Sequence, residues 1–167
     1  MRRTSKSIVV CCLLLLTAAC SSSGGLAVKT PKDVAIPPGR SVALNVTSAA
    51  DEDSRDAAHR MRVELFGRLV AEGVFRQVVA AGEAADYRMD VALGGVEEVS
   101  QGARIFFGVM AGSNELTAAV TLQDATTNAV VTSFDVSGES ASHPLSSENG
   151  MDDAIREAAS NIVRALQ

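Results

Sequence analysis

Residues 116–136 read LTAAVTLQDATTNAVVTSFDV. Leu116, Ala118, Val120 and Leu122 alternate with Thr117, Ala119, Thr121 and Gln123. Val130, Thr132, Phe134 and Val136 alternate with Val131, Ser133 and Asp135. A period of two places one set on a buried face and the other toward water, which predicts two half-buried strands. Asp124-Ala-Thr-Thr-Asn-Ala between them has turn chemistry. Asn128 is the expected left-handed residue, because a short amide side chain tolerates that conformation better than most. The stretch is thus predicted to be an antiparallel hairpin.

The pattern extends in both directions. Tyr87, Met89, Val91 and Leu93 share one side of a strand within 84–100, with Arg88 and Asp90 on the other. Val42, Leu44 and Val46 alternate with Ala43, Asn45 and Thr47 in a first strand. After it, Ala58, Met61, Leu65 and Leu69 recur at helical spacing, with Arg60, Glu64, Arg68 and Glu72 for a solvent face. Asp51, Glu52 and Asp53 sit where a helix N-terminus favours acids, and Gly73 is a plausible stop. Residues 74–80 suggest a short strand. At the C-terminus Ile155, Ala158, Ala159, Ile162 and Leu166 form an apolar stripe. Asp152 and Asp153 open that helix and Arg164 closes it, both matching the helix dipole. The predicted order is β-α-β-β-β-β-α. One-sided strands and two amphipathic helices predict an α+β two-layer sandwich: a mainly antiparallel sheet with both helices on the face carrying Val91, Val120 and Phe134.

The chain has 167 residues, enough for one domain. It has no Trp, one Tyr and five Phe, so small aliphatics must fill the core. All three cysteines (Cys11, Cys12 and Cys20) lie at the N-terminus. No disulfide framework or cysteine zinc site is therefore available to the folded part. His59 and His143 are far apart in sequence and give no metal-ligand spacing. No metal or other cofactor is expected.

Arg2, Arg3 and Lys6 precede an apolar or small stretch from Ile8 to Ala19. Twelve such residues suit a signal-peptide core and fall short of the ~20 a spanning helix needs. Leu16-Thr-Ala-Ala-Cys20 then resembles the lipobox of bacterial lipoproteins, with Thr17 where a Leu is usual. The resemblance implies that residues 1–19 are a signal peptide and that Cys20 becomes the first mature residue. It would carry diacylglycerol on sulfur and a further fatty chain, such as palmitate, on nitrogen. The bland alternative is plain secretory cleavage, leaving Cys20 a free thiol. Ser21 next to the cysteine favours the outer membrane in lipoproteins of this kind. Residues 20–40, opening in Ser-Ser-Ser-Gly-Gly and closing in Pro37-Pro38-Gly39-Arg40, read as a linker. Twenty residues reach at most about 65 Å. The domain proper is expected over 41–167. Without residues 1–19 the chain has 12 Lys and Arg against 20 Asp and Glu, a net charge of −8. Such a surface is repelled by phosphate backbones, which argues against nucleic acid as a partner.

Several short motifs come in a recognisable order: Asp86-Tyr-Arg-Met-Asp-Val, Gly102-Ala-Arg, Gly108-Val-Met-Ala-Gly112, Leu116-Thr-Ala, Asp124-Ala-Thr-Thr, Ser137-Gly-Glu-Ser and Asp153-Ala-Ile-Arg-Glu-Ala-Ala. Together, over about 41–166, they resemble the bacterial lipoprotein family called domain of unknown function 4410. Its layout is similar to that of envelope lipoprotein domains, including the curli-secretion and penicillin-binding-protein-activator lipoproteins. The resemblance implies an envelope-located, partner-binding or assembling module, not an enzyme.

Two stretches carry the remaining site expectations. Residues 102–114 hold Ile105, Phe106, Phe107, Val109 and Met110 between two strands, broken by Gly102, Gly108 and Gly112. An apolar connection must be buried somewhere: on its own domain, in a protein partner or second copy, or in lipid. Those five residues are the expected partner-binding set. The alternative is chemistry at His143 with Ser142 or Ser146, an envelope hydrolase. That chemistry needs a serine within hydrogen-bond reach of an oriented histidine, and no nucleophile elbow is present. A third alternative, suggested by the curli resemblance, is a subunit of a ring or pore.

Overall fold

The computed structural model describes residues 25–32, 35–49, 51–97, 114–140 and 150–167. They form strands β1 (Leu26–Thr30), β2 (Ser41–Thr47), β3 (Gln77–Ala80), β4 (Tyr87–Glu97), β5 (Glu115–Asp124) and β6 (Val130–Glu139), with helices α1 (Glu52–Ala71) and α2 (Gly150–Leu166). The six strands make one open sheet in the order β1-β6-β5-β4-β2-β3. The β1–β6, β6–β5 and β5–β4 pairs are antiparallel; β2 runs parallel to both β4 and β3. The sandwich is α+β and mainly antiparallel, as the periodicities predicted.

Alternation sets the faces. Met89, Val91 and Leu93, Leu116 to Leu122 at every second position, and Phe134 and Val136 are buried under the helices. α1 delivers Met61, Leu65 and Leu69 to the core. α2 is buried on two sides, with Ala154, Ile155, Ala158, Ile162 and Val163 packed against sheet and α1. Burying each large aliphatic contributes ~1.5–3 kcal/mol, so this layer carries the stability that scarce aromatics do not.

Local chemistry closes the elements. The Asp51 side chain caps α1 by accepting from Ser54 N at 2.8 Å. Gly73, with φ of 72°, ends it in the left-handed region. In the β5–β6 turn Asn128 has φ of 59°. Asp124 Oδ1 accepts from Thr126 N and Thr127 N at 2.9 and 2.8 Å. Asp86 Oδ2 accepts from Ser41 N and Ser41 Oγ, each at 2.8 Å, and Oδ1 from Arg40 at 3.0 Å, pinning the start of β2 to the start of β4.

One contact between layers is unusually close. A Cβ built on Gly138 of β6 would fall 2.0 Å from the Ala154 carbonyl oxygen and 2.6 Å from Ala158 N. Gly138 and two alanines thus let the α2 backbone lie directly on the strand. Asn161 reinforces the approach, its Nδ2 donating to Ser137 O at 3.1 Å.

The region read as a linker over 20–40 is not one continuous tether. Residues 26–30 form β1 at the sheet edge, with Leu26 opposite Val136 and Val28 opposite Phe134. Lys29 pairs with Asp135 at 2.8 Å. Thr132 Oγ1 donates to Thr30 O at 2.8 Å. The cause is the β6 ladder: its outer N–H and C=O groups need partners, and Leu26-x-Val28-x-Thr30 is extended enough to supply them. The chain then crosses to β2. On the way Lys32 Nζ donates to Leu166 O at 2.7 Å and Ile36 packs on the core. Only five residue steps separate Cys20 from Gly25, where the described chain begins.

Candidate functional site

Cys20, Ile105, Phe106, Phe107, Val109 and Met110, together with Ser142, His143 and Ser146, lie outside the described residues. Their roots, however, are placed. The 98–113 stretch leaves β4 after Glu97 and returns at Asn114; Glu97 and Glu115 face each other across the ladder. The 141–149 stretch leaves after Ser140. Asn114 N donates to Ser140 Oγ at 2.9 Å, and Ser140 N to Asn114 O at 2.9 Å. Both residues are only 3% exposed. The roots of the apolar stretch and of the histidine stretch are thus stitched together.

The N-terminal root joins them. Gly25 N donates to Ser137 Oγ at 2.8 Å, and Ser137 N to Gly25 O at 2.9 Å. Gly25, Glu97, Asn114 and Ser140 therefore all sit at one end of the sheet, and the 124–129 turn sits at the other. Both helices start from the first end, since α1 follows the C-terminal end of β2 and α2 that of β6. Sequence reasoning missed this convergence, because it depends on β1. The trace it leaves in the sequence is the short Leu26-x-Val28-x-Thr30 alternation, which is wholly exposed and therefore carries no buried period.

Next to this end, on the sheet face that carries no helix, a shallow groove of ≈ 550 Å³ is lined by Leu26, Gly94, Glu115, Thr117, Asp135 and Ser137, among others. A second depression, of ≈ 360 Å³, lies between the helices near His59, Val63, Asp152 and Ile155. Val63, Phe66 and Val70 stand exposed on α1, at 61%, 50% and 43%. His59 is also exposed.

Among the described residues, three aspartates hold their charge against protonation through local hydrogen bonds. Asp86 is held at about 2, first by the Ser41 backbone N–H, then by the Ser41 hydroxyl and Arg40. Asp51 and Asp124 are lowered by N–H groups from Ser54 and Thr127 respectively. Each carboxylate is occupied in a cap, a turn or a strand junction. Among the described residues no three His, Cys, Asp or Glu side chains are grouped to hold a metal. No helix among them is long and apolar enough to cross a membrane.

The family model described as Domain of unknown function (DUF4410) matches residues 30–144. The chain belongs to this family. The match starts at the last residue of β1 and ends beyond β6, so it takes in β2 to β6 and α1. The resemblance read from the motifs ran further, through α2. No curated protein matches the DUF4410 chain in sequence. Among solved structures it is similar to the PelC dodecamer from Paraburkholderia phytofirmans in space group P6. The identity is 18%, over 87% of this chain and 99% of that one, with a TM-score of 0.61. A variant PelC dodecamer from the same organism, in space group C2, is 18% identical over 86% and 98%, with a TM-score of 0.60. These likenesses establish a shared fold. A Caulobacter crescentus chain provisionally described as a lipoprotein is 21% identical over 75% and 86%, at a TM-score of 0.42.

Proposed function

We propose that this DUF4410 chain is a non-catalytic assembly module of the bacterial cell envelope. It is tethered to a membrane, the outer membrane on its periplasmic side, through acylated Cys20, and it works by associating with further copies of itself. The observation that carries this reading is the convergence at one end of the sheet. The tether root at Gly25 and the two roots of the apolar stretch, Glu97 and Asn114, share that end. An anchor and a contact segment with a common root act at the same level above a membrane, where neighbouring copies meet. The fold likeness to proteins solved as dodecamers supports self-association. Ile105, Phe106, Phe107, Val109 and Met110 are the proposed contact residues, and no cofactor is called for.

A photo-crosslinking residue in place of Phe107, in intact cells, tests it. An adduct of twice the monomer mass is expected, and native mass measurement of the detergent-extracted protein should show a defined oligomer. Monomer throughout, with no adduct, would sink the reading. The hydrolase alternative predicts instead that His143→Ala abolishes the cellular phenotype while leaving the oligomer intact.

A further inference from the structure

We infer that β1 fixes which end of the domain faces the bilayer: the end bearing Gly25, Glu115 and Ser140 points at the lipid headgroups, and the 124–129 turn points away. The inference rests on the tether reading above and adds an orientation to it. Because residues 26–30 are paired into the sheet, the leash, the length of chain between the proposed anchor and the sheet, runs only from Cys20 to Gly25. Five residue steps span at most ~18 Å however they are arranged. An acylated cysteine sits at the boundary of the hydrocarbon, and a headgroup layer is about 5–7 Å thick. Roughly 12 Å of leash therefore clears the surface.

The sheet is longer than that. Gly25 lies level with Ser137 and hence with Thr117. From Thr117 to Asp124 is seven residue steps of β5, about 23 Å at the usual strand rise, and the turn lies beyond. Inverting the domain would lift Gly25 further from the bilayer than the leash allows. The turn end is thus barred from the membrane for as long as β1 stays paired.

Chemistry shapes the approach. Both helices begin at the membrane-facing end, and their first turns carry Asp51, Glu52, Asp53, Asp152 and Asp153. Asp152 and Asp153 are paired with Arg60 and Arg156, at 3.0 and 2.6 Å, and Asp51 caps α1, so much of this charge is balanced within the protein before it meets the headgroups.

The test uses the full acylated chain on vesicles of phosphatidylethanolamine and phosphatidylglycerol containing a headgroup-spin-labelled lipid. No cysteine follows Cys20, so a single introduced cysteine labels cleanly. Glu115→Cys and Thr126→Cys, each carrying a fluorophore, report the two ends of β5. The label at 115 should lose more than half its emission, and the label at 126 should lose almost none. Inserting twenty Gly and Ser residues between Cys20 and Gly25 should abolish the difference. Flotation with the vesicles, compared with Cys20→Ser, separates the two ideas. If flotation does not depend on Cys20, the tether reading fails and the orientation falls with it. If flotation depends on Cys20 but the two labels quench equally, or the label at 126 quenches more, the orientation alone is overturned.

Discussion

Gly138→Ala should be the most damaging single-methyl change in the described fold. The new Cβ would stand 2.0 Å from the Ala154 carbonyl oxygen, 2.6 Å from Ala158 N and 3.0 Å from Ala154 C. Comfortable contact begins near 3.5 Å, so α2 must retreat by about 1.5 Å. The obstacle is helix backbone, which has no rotamer to change. Retreat would part Ala154, Ile155, Ala158 and Ile162 from the sheet, and a gap of even 0.5–1 Å forfeits about a quarter to a half of each contact. The cost belongs at the top of the ~1–3 kcal/mol range for overpacking. At ~4 °C per kcal/mol for a domain of this size, the midpoint should fall by about 12 °C. Thermal and urea unfolding of the signal-free Cys20→Ser chain would measure it. Gly67→Ala is the matched control. Gly67 is exposed on α1 with nothing within 4 Å of a built Cβ, so alanine should stabilise by ~0.5–1 kcal/mol. Equal, small effects at the two glycines would refute the close-packing argument.

Two further outcomes follow from local chemistry. The Asp86 carboxyl is lowered to about 2 in the folded chain, below its unfolded value of about 3.9, so its stabilising contribution is complete above that value and is lost as pH falls toward 2. Asp86→Asn should flatten the pH dependence of stability between about pH 4 and pH 2, measured by urea midpoints across that range; an unchanged slope would show that Ser41 and Arg40 do not hold the carboxylate as described. Asn128→Ala should cost ~1 kcal/mol because a Cβ without a short amide is strained at φ of 59°, while Asn128→Gly should cost less; equal costs, since both variants lose the Arg88–Asn128 hydrogen bond, would assign the turn's stability to that bond instead.

Much of this fold was legible because most strands are buried on one side only. Tyr87 to Leu93, Leu116 to Leu122 and Thr132 to Val136 each alternate cleanly, and the stripes of α1 and α2 recur at helical spacing. The left-handed Asn128 was legible from turn chemistry. β1 was hidden because its five residues are all exposed, so no buried period marks them, and Ser, Gly and Pro surround them. The parallel pairing of β3 with β2 also leaves no local trace, since it depends on how the chain returns after α1. At Gly138 the residue itself could be read, but the backbone it admits lies sixteen positions away. Cys20 was nominated from the lipobox resemblance, and Ile105, Phe106, Phe107, Val109 and Met110 from the apolar character of their stretch; all six lie outside the described residues. What sequence could not supply was their common root, which exists only once β1, β4, β5 and β6 are side by side.

The outermost strand also has a consequence for timing. Val28 pairs with Phe134, more than a hundred residues downstream. A polypeptide delivered from its N-terminus carries β1 without a partner until nearly all of the chain has arrived, and pairings this remote in sequence form late. Formation of the final hairpin ends the interval. The sheet thereby acts as a clock, closing its outer edge only when the domain is finished.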